Sequence, residues 1–114
     1  GGMGRLREVC GTVSGAFFVL GSVFGYSDAG DKERKALLYT KIQEFAYLFE
    51  EENKTIICRD LLGLKGRSNP IPEERSGEYY KSRPCPGICY SSASILQKFL
   101  EKEGILDVEG ERVQ

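Results

Sequence analysis

The 114-residue chain carries four cysteines, Cys10, Cys58, Cys85 and Cys89, and no histidine. The missing imidazole removes Ser-His-Asp and Cys-His nucleophilic pairs and every metal site built on imidazole. What remains for redox or metal chemistry is sulfur. Three of the thiols stand in basic surroundings: Cys10 follows Arg5 and Arg7, Cys58 precedes Arg59, and Cys85 follows Lys81 and Arg83. A cation or a helix N-terminus beside a thiol favours thiolate, the form that attacks disulfides and ligates metals. Spacing alone leaves the chemistry open. Cys85 and Cys89 make one short pair, whereas a four-cysteine zinc site shows two. An i, i+4 pair within a helix has poor geometry for a relaxed disulfide, yet it can offer two ligands to one metal. The competing reading for each thiol is a small apolar core side chain.

The elements that must position these sulfurs are helical. Val9, Val13, Ala16, Phe17, Leu20 and Phe24 recur at helical spacing and predict a first helix from about Glu8 to Phe24. Gly11 and Gly15 keep another side of it slim. Glycine inside a helix costs about 1 kcal/mol against alanine, so close approach of a second helix or of a bound group is the expected reason for them. Asp28 or Asp31 is the expected N-cap of a second helix over Lys32–Glu52, whose stripe is Leu38, Ile42, Phe45, Ala46 and Phe49. Glu50, Glu51 and Glu52 sit badly against the dipole at its end and predict early fraying. A short piece follows at Cys58–Leu62, stopped by Gly63. Residues 64–84, LKGRSNPIPEERSGEYYKSRP, show no periodicity and read as one long loop. The last helix is expected from Pro86 to about Glu103, with Cys85 as its N-cap and Ala93, Leu96, Phe99 and Leu100 facing inward. The fold class is all-α, a small helical bundle with one long irregular loop, forming a single helical domain over residues 1–114.

Composition closes off other classes. Sixteen basic and seventeen acidic residues are intermixed, for a net charge of −1, which leaves no electrostatic footprint for nucleic acid. The longest apolar stretch, Val13–Phe24, is broken by Ser14, Gly15, Gly21 and Ser22 and is too short to span a bilayer. The expectation is a cytoplasmic protein that is not membrane-embedded. GGMG and GLKGRS lack the Gly-Lys-Ser/Thr ending of a phosphate-cradling loop and read as turns.

GGMGRLREVCGTVSGAFFVLG, a long charged helix, CRDLLG and then CPGICYSSASIL occur in an order that resembles the C-GCAxxG-C-C family of small redox-active proteins. The family run is matched by Cys10-Gly11-Thr12-Val13-Ser14-Gly15, with Thr12 where alanine is usual. Cys58 matches the next family cysteine and Cys85 the last, with Ala93, Ile95 and Leu96 at the expected offsets. Family members also carry a cysteine on a helix upstream of the glycine-rich stretch, and this chain begins after that point. Three expectations follow: a fragment, a missing first helix, or Cys89 in that role. The resemblance implies cysteine-based redox function, and some related domains hold iron–sulfur clusters.

Two functional readings stand side by side. In the first, Cys10, Cys58, Cys85 and Cys89 handle electrons with an unidentified redox partner protein. They do so either as ligands of an iron–sulfur centre, which Gly11 and Gly15 allow to approach the backbone, or by reversible thiol–disulfide exchange. In the second, the chain is a non-catalytic helical module that forms a homodimer or docks on a larger partner, with Tyr79 and Tyr80 as contact residues.

Overall fold

The computed structural model describes residues 1–107 and 109–113 and is helical. Five helices follow one another: α1 (Gly11–Phe24), α2 (Lys32–Asn53), α3 (Cys58–Leu61), α4 (Gly77–Ser82) and α5 (Cys85–Lys102). The three long ones pack on one another. Phe17 meets Phe45 edge-on with ring centroids 6.2 Å apart, and the Lys41 ammonium lies 5.8 Å from the Phe24 ring, so α1 and α2 run antiparallel. Thr12 is bonded to Ser92, and Phe24 packs on Phe99, so α5 runs parallel to α1. Val13, Leu20, Phe45 and Phe49 are fully enclosed where the three helices meet.

Local chemistry sets the helix ends. Asp31 caps α2 by accepting from the Arg34 N–H at 3.0 Å, satisfying one of the donors that a helix start leaves orphaned. The other end of α2 does not fray at its three glutamates. It runs to Asn53, because Lys54 turns to φ +77° and its N–H closes on the Glu50 carbonyl at 2.7 Å. That backbone bond outweighs an unfavourable dipole contact worth a few tenths of a kcal/mol.

Three other boundaries, and one face of α5, differ from the sequence expectation. Helix α1 begins at Gly11 rather than near Glu8, because Val9 is drawn into an antiparallel bridge with Ile57. Helix α5 begins one residue early, with Pro84 as its cap and Cys85 already helical, so Pro86 falls in the second position. Residues 64–84 are irregular except for α4, which Ser76 caps by accepting from the Tyr79 N–H. A helix this short has no room to display a period. On α5, Phe99 and Leu100 face inward as expected and Leu96 packs partly against the core, but Ile88, Ser91, Ser92 and Ile95 complete the buried side and Ala93 is exposed.

Candidate functional site

The parallel run of α1 and α5, with α2 reversed between them, brings the starts of α1 and α5 and the α2–α3 connection to one end of the bundle. All four cysteines lie there. Cys10 immediately precedes α1, Cys58 opens α3, and Cys85 and Cys89 occupy the first turns of α5. All are free thiols: Cys58 is buried, Cys10 and Cys85 are partly buried, and Cys89 is exposed.

A two-segment ladder holds the first two. The Cys10 N–H donates to the Ile56 carbonyl at 2.8 Å, and the Cys58 N–H donates to the Glu8 carbonyl at 2.6 Å, on either side of the Val9–Ile57 bridge. The glycine-rich leader wraps over this ladder as a left-handed turn. Gly2, Met3, Gly4 and Arg5 have φ between +57° and +67°, and Arg7 has φ +62°. For the non-glycine residues this conformation costs about 1–2 kcal/mol each. Gly2 is needed as glycine, since a β-carbon there would stand 2.5 Å from Cys58 Cβ.

The strain at Arg7 places a guanidinium on Cys58. Arg7 is 3 % exposed, its Nη1 donates to Cys58 Sγ at 3.6 Å, and its Nε donates to Ser68 Oγ at 2.9 Å. The sequence pointed instead to Arg59 beside Cys58, but Arg59 turns away to Glu8 Oε2 at 3.3 Å and to the Arg7 carbonyl. Arg83 likewise leaves Cys85, pairing with Glu73 at 3.0 Å and lying over the Tyr79 ring. Tyr79 is also engaged by Arg75 and packs edge-on against Tyr80, so these tyrosines are held within their own segment. The Arg7–Cys58 contact spans 51 positions and has no local sequence signal.

Cys10 and Cys89 are related through Thr12. Cys10 Sγ and Thr12 Oγ1 are hydrogen-bonded at 3.2 Å. Thr12 in turn lines a shallow groove of 240 Å³ between α1 and α5, together with Gly15, Ala16, Cys89, Ser92 and Leu96. Ser92 Oγ donates to the Thr12 carbonyl at 2.9 Å and pins the two helices at this point. Gly11 and Gly15 are exposed, Gly15 at the margin of this groove, and nothing stands within 4 Å of where their β-carbons would be. The close approach expected at them is absent among the described residues, and their side of α1 is open.

An iron–sulfur centre needs thiolates that converge on one point. Among the described residues no group of three or more cysteine, aspartate or glutamate side chains could hold a metal ion. The single chain in this arrangement therefore does not fit a cluster, and no step is derived through one.

Fold and site together define a small helical protein with four free thiols at one end of its bundle. Residues 1–99 match the family described as "Putative redox-active protein (C_GCAxxG_C_C)", and the chain belongs to that family. No curated protein and no solved structure gives a match. No helix among the described residues is long and apolar enough to cross a membrane.

Proposed function

We propose that the protein exchanges electrons by reversible thiol–disulfide chemistry at the cysteine end of the bundle. The observation that carries this reading is the linkage of Cys10, through Thr12, to the groove that exposed Cys89 lines. Cys10 as thiolate attacks a disulfide on a partner protein, forming a mixed disulfide and releasing one partner thiolate. A second end cysteine, Cys89 by its exposure, attacks the mixed disulfide and releases the other partner thiolate. The partner disulfide gains two electrons and two protons, and the protein's dithiol loses them.

Cys58, buried against the Arg7 guanidinium, is assigned a slower or supporting role. Cys85, one turn before Cys89, is the alternative resolving thiol. Gly11 and Gly15 leave the α1 backbone open on the side from which a partner segment would approach. Free thiols suit a reducing compartment such as the cytoplasm.

The test is a redox titration of the anaerobically purified chain in mixtures of oxidised and reduced dithiothreitol, read by thiol alkylation and mass. The expected result is a two-electron transition that Cys10→Ser abolishes while helical circular dichroism is retained. An unchanged transition in that variant overturns the assignment of Cys10. Reductant-bleached visible charge-transfer bands in the same preparation would overturn the metal-free mechanism and point to a cluster completed by a further chain or conformation.

The competing reading is a non-catalytic docking module. The open side of α1 favours it, where Phe18 is 78 % exposed beside the bare Gly11 and Gly15. It predicts no redox transition at all in the titration above.

A further inference from the structure

Away from the thiol groove, α2 and α5 enclose a second and larger groove of 570 Å³. Its floor is apolar, formed by Leu48, Ile95 and Phe99, with Tyr47 at its lip. Tyr47 and Leu48 both line this groove and both are exposed. Such a strip on a helix whose opposite side already fills the core is surface left for another molecule.

The two walls differ in charge. The α2 wall carries Glu44, Glu51 and Glu52, and the α5 wall carries Lys98 and Lys102, with Glu103 at its end taken up by Lys41 at 2.8 Å. Lys98 and Lys102 make no ion pair among the described residues, nor do Glu51 and Glu52. Glu44 has only a 3.7 Å contact with Lys41. Charge segregated across an apolar floor selects among occupants. A uniformly charged helix would be attracted by one wall and repelled by the other.

We infer that this groove is a homodimer interface, closed by the same groove of a second copy. A two-fold axis parallel to the helices lays α2 of one copy over α5 of the other and completes a four-helix bundle. Each acidic wall then faces a basic wall, twice over, and the two apolar strips meet between them. The other face-to-face arrangement, with the axis across the helices, sets α2 on α2 and glutamate on glutamate. The charge pattern thus fixes orientation as well as partner. A net charge of −1 leaves little overall repulsion between copies.

The inference is independent of the thiol chemistry, and its test keeps the two apart. Sedimentation equilibrium is run on the full chain in excess reductant, so that no intermolecular disulfide through Cys89 contributes. The expected result is a reversible dimer weakened by salt. Two charge variants decide the geometry: Lys98→Glu with Lys102→Glu makes both walls acidic, and Glu44→Lys with Glu51→Lys and Glu52→Lys makes both basic. Each alone should dimerise about tenfold or more weaker than the parent chain. An equimolar mixture should recover a one-to-one heterodimer, which also demonstrates that both variants are folded. Leu48→Ser, a milder change on the floor, should weaken the dimer with no change in helical circular dichroism. A monomer at all concentrations, or a dimer indifferent to Leu48→Ser and to both charge variants, overturns the inference.

Discussion

Nη1 of Arg7 lies 3.6 Å from the sulfur of Cys58, and both groups are buried. To reach that position Arg7 adopts a left-handed backbone that costs about 1–2 kcal/mol, and its Nε is fixed in turn by Ser68. Strained non-glycine residues persist where the surroundings over-determine them, and they cluster at functional sites. The guanidinium also shuts Cys58 away from solvent on the side where the leader crosses it. Under native conditions iodoacetamide should therefore label Cys89 first, Cys10 and Cys85 next, and Cys58 last. Arg7→Gly relieves the backbone and opens the sulfur, so Cys58 labelling should rise at least about tenfold while the urea midpoint moves little. Peptide mass analysis reads the order. Labelling of Cys58 at the parent rate in Arg7→Gly would show that the guanidinium does not guard it.

Gly15 stands on the open side of α1, with nothing near the position of its β-carbon. Gly15→Ala should stabilise the isolated chain by about 0.5–1 kcal/mol through helix propensity and reduced unfolded-state entropy. Gly25 is the opposite case, since a β-carbon there would collide with the Gly21 carbonyl. Gly25→Ala should destabilise. Urea denaturation of the pair measures both signs, and a loss of stability in Gly15→Ala would mean that the α1 face is covered in solution.

The aromatic seam of α2 carries much of the core. Phe45 and Phe49 are fully buried, stack with centroids 6.4 Å apart, and meet Phe17 from α1 through Phe45. Phe49→Ala should cost about 3–5 kcal/mol, the range for a large cavity. Phe18→Ala, on an exposed ring, should stay within about 0.5 kcal/mol. Thermal or urea unfolding checks the contrast.

Lys41 joins the middle of α2 to the C-terminal end of α5. Its ammonium donates to Glu103 Oε1 at 2.8 Å and lies over the Phe24 and Phe99 rings. The Glu103 hydrogen bond is the main cause of a lysine pKa raised above its ordinary 10.5, working against desolvation. A raised pKa in the folded state means that the pair's stabilisation is fully present below about pH 10.5. It is lost as pH climbs through the raised value. Lys41→Met should lower stability by about 1 kcal/mol at neutral pH and narrow its gap to the parent chain above pH 10.5. Unfolding midpoints at pH 7, 9 and 11 test this, and a gap independent of pH would dismiss the ion pair as the cause.

The amino-acid sequence by itself determined α1, α2, α3 and α5 to within a few residues, though not the six-residue α4, and it determined the chemistry available. The i, i+4, i+7 stripe of α2 is a local property, legible because 22 residues give six turns in which to repeat it. The cap of α2 was legible as Asp28 or Asp31 for the same reason, and the structure uses Asp31, whose side chain accepts from an N–H three residues on. Four thiols without imidazole restricted the site to sulfur, and the Cys10–Gly15 run carried the family. Tertiary structure decided everything that depends on which faces meet. Cys10 and Cys58 are brought onto neighbouring segments because a two-residue bridge, Val9 with Ile57, forms between stretches nearly fifty positions apart, too short to leave a period-two pattern. Arg59 and Arg83, adjacent to cysteines in sequence, turned to carboxylates, while Arg7 reached Cys58 across the fold. The open glycine side of α1 was equally invisible, because a small residue looks the same in sequence whether a helix covers it or solvent does. Periodicity reports that a face will be buried, and only the packed chain reports what lies against it.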